Sequence, residues 1–415
     1  MKNLKTVCIL LVTITFFSCS DDDEPIVNQA PESFNLIALA DGATNTSIIP
    51  TFSWSEAIDP NGNTVSYSLL LDTNPNPSTV FANNLAVANY TTTESLSLLT
   101  QYYWKVIATD SYGAATESNT FNFITHSISA QLVTANAGFS GRSGHQAVSF
   151  NNKLWVIGGA DGSNKNDVWS SSDGISWTEE TANAEFSARN LHQSVSFNNK
   201  LWVIGGNDDD DRKNDVWSSS DGISWTEQTA NAGFSARAAH QVVSFNNKLW
   251  VIGGKVNGVS NNFQKDVWSS SDGINWTQET ANASFSARYS HQAVSFNNKL
   301  WVIGGYDGSN KNDVWSSVDG INWTQETTNA GFSARVVHQA VSFNNQLWVI
   351  GGSDGSFGSN KNDVWSSVDG ISWTEQTNSA AFSARSFHQV VSFNNQLWVI
   401  GGYDGSNKND VWSMD

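Results

Sequence analysis

Two cysteines in 415 residues is the chain's plainest scarcity. Cys8 sits inside an N-terminal apolar run, which leaves Cys19 as the one thiol beyond it, so neither a disulfide framework nor a cysteine-based zinc or catalytic site is available. Positive charge is scarce too. Twenty-one Lys and Arg stand against 39 Asp and Glu, for a net charge of -18, which excludes nucleic acid and an anionic membrane surface as partners, since both need clustered Lys and Arg. Long apolar runs are missing as well. The one from Val7 to Phe17 is too short to span a bilayer, and nothing after it is apolar enough to cross as a helix.

Lys2 and Lys5, the apolar run and Ser18-Cys19 together read as an export signal over residues 1–18. Phe16-Phe17-Ser18-Cys19 resembles the lipobox of bacterial lipoproteins, with Phe16 and Phe17 in place of the usual leucine and small residue. That resemblance implies lipidation at Cys19 and contact with a membrane through the lipid anchor only. The alternative is a secreted protein with a stray thiol. Residues 19–29 form an acidic tether. Its Ser20-Asp21-Asp22-Asp23-Glu24-Pro25 resembles a surface-export tag of some Gram-negative lipoproteins, and reads equally as a solvated linker. The resemblance implies an outer-membrane lipoprotein at the cell surface, with a secreted or periplasmic location as the alternative.

Residues 30–125 carry short alternating runs divided by turn signals, among them Thr51-Phe52-Ser53-Trp54, Val65 to Leu71 and Tyr103 to Ala108. About seven short strands in this length predict a β-sandwich. Trp54, Tyr67, Tyr103-Trp104-Lys105-Val106 and Ala108-Thr109-Asp110 resemble a fibronectin type III domain, which implies a spacer. Asp59, Asn61, Asn63 and Asp110 offer oxygen ligands for calcium, although tight turns are rich in these residues anyway.

Residues 126–415 hold six near-copies of one cassette: Phe-Ser-Ala-Arg-x-x-His-Gln, Asn-Asn, Leu-Trp-Val-Ile-Gly-Gly, Asp-Val-Trp-Ser, Asp-Gly and Trp-Thr. Its histidines, His145, His192, His240, His291, His338 and His388, are spaced 47, 48, 51, 47 and 50 apart, a period that marks a repeat architecture. Each copy parses into four strands: His-Gln-Ala-Val-Ser-Phe, a two-residue Asn-Asn hairpin, Leu-Trp-Val-Ile-Gly-Gly, Asp-Val-Trp-Ser, and a fourth beginning Ile-Ser-Trp-Thr. The second strand is apolar on both faces and must be covered on both sides, which radially stacked sheets achieve. Gly158-Gly159, Gly205-Gly206, Gly253-Gly254, Gly304-Gly305, Gly351-Gly352 and Gly401-Gly402, each followed by two spaced aromatics, resemble kelch repeats. The fold class expected is therefore all-β: a fibronectin type III-like sandwich, then a six-bladed kelch-type β-propeller closed by an N-terminal strand. The sixth copy ends at Asp415 without a fourth strand, and Ile128 to Thr134 aligns with that strand, Ala130 standing where other copies have Trp.

Differences between the copies are concentrated. Between the fixed Arg and His lie Ser143-Gly144, Asn190-Leu191, Ala238-Ala239, Tyr289-Ser290, Val336-Val337 and Ser386-Phe387, and the loop after Gly-Gly also varies, with Tyr306 and Tyr403 among its residues. Both sets emerge on one face of a propeller. Drift of exposed loops accounts for such variation, but the equally exposed Asn-Asn turns have not drifted. The expected binding residues are Asn190, Leu191, Tyr289, Ser290, Tyr306, Val336, Val337, Ser386, Phe387 and Tyr403, facing a protein or glycan partner. A glycan-processing enzyme and a structural envelope protein are the alternatives.

Repeated polar residues suggest chemistry less well. Arg142, Arg189, Arg237, Arg288, Arg335 and Arg385 would ring a channel and clasp a carboxylate as in sialidases, whose Asp-box Ser172 to Trp177 resembles; equally they latch each blade to the Asp of Asp-Val-Trp. One histidine per blade suits a buried structural role better than a metal. Asp208-Asp209-Asp210-Asp211 reads as a solvated charge run or a cation site. No catalytic residue, cofactor or metal is assigned.

Overall fold

A computed structural model describes residues 27–209, 211–258, 262–355 and 359–415. The segment expected to be an export signal (1–18), Cys19 and most of the expected acidic tether (19–29) lie outside them. The chain divides into two compact units, Met1–Thr93 with Gln101–Ile124, and Glu94–Thr100 with Thr125–Asp415. Among the described residues every regular element is a strand.

In the first unit Leu36–Ala38, Thr51–Trp54 and Asn89–Thr91 form a three-stranded sheet, and a six-stranded sheet is built around Val65–Asp72 and Gln101–Asp110. Alternation in Gln101–Asp110 buries Trp104, Val106 and Ala108, as period-two patterning requires. Their partners come from both sheets: the Phe52 and Trp104 rings lie 4.9 Å apart, and Trp54 and Tyr67 5.5 Å apart.

The second unit holds six repeated antiparallel sheets. Sheet one comprises Gln146–Phe150, Lys153–Ala160, Asn164–Ser171 and Thr178–Thr181. Its first turn places Asn151 and Asn152 at φ 47° and 54°, the left-handed pair that a two-residue hairpin needs. The second strand is buried from Leu154 to Gly159, covered on both faces. The fourth strand is shorter than the sequence suggests and starts after Trp177. Ile175 and Ser176 donate both backbone N–H groups to Asp173 Oδ1 at 2.8 Å, and Trp177 Nε1 donates to the Gly174 carbonyl, so this stretch closes a turn before pairing begins.

Neighbouring sheets are locked by contacts that admit no side chain. A Cβ on Gly222 would lie 2.1 Å from the Trp155 ring of sheet one, and one on Gly158 would lie 2.9 Å from the His192 ring of sheet two. One on Gly159 would lie 2.6 Å from the Cβ of His145 in its own sheet. The Gly-Gly pair is thus the seat of two histidines. Inner strands neighbour one another in order, and Gln389–Phe393 of sheet six contacts Gln146–Phe150 of sheet one. Sheet six takes its outer strand from far upstream: Ala130–Thr134 pairs with Asn407–Met414, Thr134 opposite Val411 as Thr181 is opposite Val168 in sheet one. In that register Ala130 occupies the place of Trp177. Phe139 packs on both Trp169 and Trp177, whereas Phe382 has Trp412 alone.

Candidate functional site

The two variable residues between Arg and His do different things. The first bridges to the residue after Gly-Gly: Ser143 to Ala160, Asn190 to Asn207, Tyr289 to Tyr306, Val336 to Ser353 and Ser386 to Tyr403, while in sheet three Arg237–Ala238 pairs with Lys255 and Val256. The two variable sets are therefore direct neighbours. The second residue adopts a left-handed backbone in every repeat: Gly144 at φ 62°, Leu191 51°, Ala239 52°, Ser290 51°, Val337 48° and Phe387 54°.

A closed circuit of hydrogen bonds holds that conformation. Leu191 N–H donates to the Gly144 carbonyl, Ala239 to Leu191 and Ser290 to Ala239, each at 2.9 Å; Val337 donates to Ser290 and Phe387 to Val337 at 3.2 Å, and Gly144 closes the circuit on Phe387 at 3.3 Å. Gly144 alone adopts this backbone without steric cost; a β-branched residue such as Val337 is a true outlier there. Strain of this kind persists where the surroundings enforce it, and gathers at functional sites. Next to the circuit, Gln146, Gln193, Gln241, Gln292, Gln339 and Gln389 line a void of about 50 Å³ with the six circuit residues, so the centre is nearly filled.

Beside it lies a much larger cavity of about 850 Å³. It is lined by Tyr289, Ser290, Tyr306, Val336, Val337, Ser386, Phe387 and Tyr403, together with Asn310, Asn360 and Asn407. Eight of the ten residues singled out from the sequence meet here, on sheets four to six. Leu191 instead lines the central void, and Asn190 lines neither, its Oδ1 buried without a hydrogen-bond partner. Ser386 is only 4% exposed, so it shapes the wall more than it projects from it.

Phe263 was not among the binding residues expected from the sequence; its ring packs tilted 4.8 Å from Tyr289 and edge-on 5.9 Å from Tyr306, while Tyr289 and Tyr306 are 5.5 Å apart. Lys255 Nζ sits 5.6 Å above the Tyr289 ring. Burial, and secondarily Tyr306, push the Tyr289 phenol above its usual range, so it stays a neutral donor. The three asparagines were missed too; nothing in one copy signals that their position faces the cavity.

The arginines do not face a ligand. Arg288 is fully buried: Nη1 and Nη2 grip Asp313 at 2.7 and 2.8 Å, and the remaining donors reach the Gly304 carbonyl, the Ser286 carbonyl and Ser286 Oγ. All five N–H donors are thereby used. The same arrangement joins Arg142 to Asp167, Arg189 to Asp215, Arg237 to Asp266, Arg335 to Asp363 and Arg385 to Asp410. Burial raises the Asp313 carboxyl, but the hydrogen bond and charge of Arg288 outweigh it and leave the group below its usual range. The carboxylate clasp suggested by the sialidase comparison is thus corrected: these are latches, and no donor is left over.

The histidines are fully buried and neutral. Burial, then the neighbouring Arg142, lowers His145 to about 3, and His192, His291 and His388 are lowered to about 3 in the same way. Among the described residues no group of three or more His, Cys, Asp or Glu is arranged to hold a metal ion. The calcium candidates hydrogen-bond within their turns. Asp59 Oδ1 accepts from the Asn61 and Asn63 backbones at 2.9 Å, Asn61 Oδ1 accepts from Gln29 N–H, Asn63 Nδ2 donates to Asn28, and Asp110 Oδ1 accepts from Tyr112 and Ala114. In the acidic run Asp208 binds Lys213 at 2.7 Å and Ser187 at 3.1 Å; Asp210 lies outside the described residues.

Repeated four-stranded sheets whose inner strands neighbour in a cycle define the β-propeller class. The family model of the Kelch-repeats domain of KLHDC2, KLHL20 and DRC7 matches residues 108–271 and 239–415. The chain belongs to this Kelch-repeat family. The solved structure of YjhT aligns over 68% of this chain and 96% of its own, at 17% identity and a TM-score of 0.57, a likeness of fold. No curated protein sequence matches.

Proposed function

We propose that this protein is an envelope-anchored binding protein that recognises a protein or glycan through the variable loop face of a closed six-bladed kelch propeller. In this reading Cys19 carries the lipid, residues 19–29 are a tether, the fibronectin type III-like segment 30–125 is a spacer, and the cell surface is the location. One observation carries it. Residues that differ between otherwise near-identical repeats converge on a single cavity of about 850 Å³, within the size range of ligand sites, and its floor keeps side chains at left-handed positions where glycine is easier. Fold membership does not supply a ligand, so the reading rests on the site.

The test compares the chain from Ser20 onward with a Tyr306→Ala, Phe387→Ala, Tyr403→Ala variant on paired arrays of proteins, peptides and glycans. A ligand retained by the parent and lost by a variant of unchanged melting temperature is the expected result. Ligands held equally by both chains place recognition elsewhere and end the proposal.

A further inference from the structure

The cavity over sheets four to six has a mostly uncharged lining, and this narrows the ligand. We infer that it takes an uncharged, polyhydroxylated ligand, a stretch of neutral oligosaccharide. The inference rests on the loop-face reading above.

Charge is the first argument. Among the described residues no Lys, Arg or His lines the cavity, and the one charged residue among them, Asp404, is already held by Lys408 Nζ at 3.0 Å and Ser383 Oγ at 2.7 Å. The nearest arginines are the buried latches, whose donors are used up. A sialylated or sulfated glycan, or a peptide led by its terminal carboxylate, would shed its water beside a single ammonium, that of Lys255 over the Tyr289 ring, with no guanidinium to grip it. The net charge of -18 opposes such ligands further.

Hydrogen-bonding capacity is the second. Among the described residues the Tyr289, Tyr306 and Tyr403 hydroxyls make no hydrogen bond to protein, so each can both donate and accept. Asn360 Nδ2 donates to the Tyr403 carbonyl at 3.0 Å and Asn407 Nδ2 to the Ala160 carbonyl at 3.3 Å, which fixes these amides while no protein donor among the described residues claims their Oδ1 atoms. Fixed amide oxygens beside phenol groups suit ligand hydroxyls, which donate and accept at short spacing. Flat apolar area is the third argument. Tyr289 and Tyr306 back onto Phe263 at one side, Phe387 and Tyr403 stand at the other, and the apolar face of a pyranose ring stacks on such surfaces. The nearly filled centre stops a chain from threading the axis, so the ligand lies across the face off-centre.

The test uses the chain from Ser20 onward on an array carrying neutral β-glucan, xylan, mannan, α-glucan and chitin oligosaccharides beside sialylated and sulfated glycans and peptides, at low and high salt. Neutral oligosaccharides are expected to bind with little salt dependence, because no ion pair forms. Binding should weaken at least about tenfold in Tyr306→Ala and in Tyr403→Ala, as for anchor residues, and stay unchanged in Ile321→Ala on the Asp-Gly turn. A peptide or anionic ligand lost in the same variants overturns the neutral-glycan inference while keeping the loop face. A ligand indifferent to all variants overturns both. Absence of any neutral-glycan binding overturns the inference.

Discussion

Five non-glycine side chains sit on left-handed backbone around the centre of this protein, one per repeat in sheets two to six. Since the hydrogen-bond circuit dictates the backbone, each side chain is carried at a steric cost that glycine at the same place avoids. For Ala239, which is half-buried, glycine would relieve that cost while removing only a methyl group. Ala239→Gly is expected to raise stability by about 0.5 kcal/mol, the left-handed penalty less the extra unfolded-chain freedom of glycine. Chemical denaturation of parent and variant measures it, and a clear fall in stability would show that the circuit imposes no strain. The sequence marks these positions as variable but says nothing of their backbone, because only Gly144 has the residue type that signals positive φ.

Strands and turns of the repeat were largely legible because their causes are local: Asn-Asn hairpins, Gly-Gly contacts and alternating burial recur every copy. The fourth strand was misplaced by three residues, since Asp173 captures backbone donors that a strand would otherwise use. Sheet six is the exception among elements, its outer strand arriving from Ala130–Thr134 with alanine in the tryptophan place. Burying a tryptophan is worth at most about 5 kcal/mol at roughly 25 cal/mol per Å², so this edge is the weakest of the six. Deleting Ile128 to Thr134 is expected to lower the melting temperature by several degrees. An unchanged calorimetric melt would rule out that strand as a closing element.

At the scale of the whole molecule six neutral histidines share one fate. Their folded pKa lies far below the unfolded value of about 6.5, near 3 for His145, His192, His291 and His388, with His240 and His338 also well below. On acidification the unfolded chain takes up protons that the folded chain refuses. Stability is therefore full above about pH 6.5 and falls below it, by about 1.4 kcal/mol per histidine per pH unit once the unfolded imidazoles are charged, or roughly 8 kcal/mol per unit for all six. A melting temperature that stays level from about pH 7.5 to pH 5 would contradict the burial of neutral imidazoles. Carboxylates such as Asp313 and Asp410, lowered by their arginines against the opposing pull of burial, add their loss only at lower pH.

By itself the sequence determined the repeat period, the four-stranded unit, the family and the scarcity of cations, because each is written in residue types along the chain. It also located the variable positions. Tertiary structure alone decided that eight of them meet in one off-centre cavity and that Asn190 and Leu191 do not. It alone bridged each first variable residue to the loop after Gly-Gly, drew Phe263 and the three asparagines alongside, and removed the arginines from contention by burying them on their aspartates. Such outcomes depend on which sheets lie beside which. The physical reason is that stacking and hydrogen bonds across repeats join residues dozens of positions apart, whose proximity no local pattern encodes.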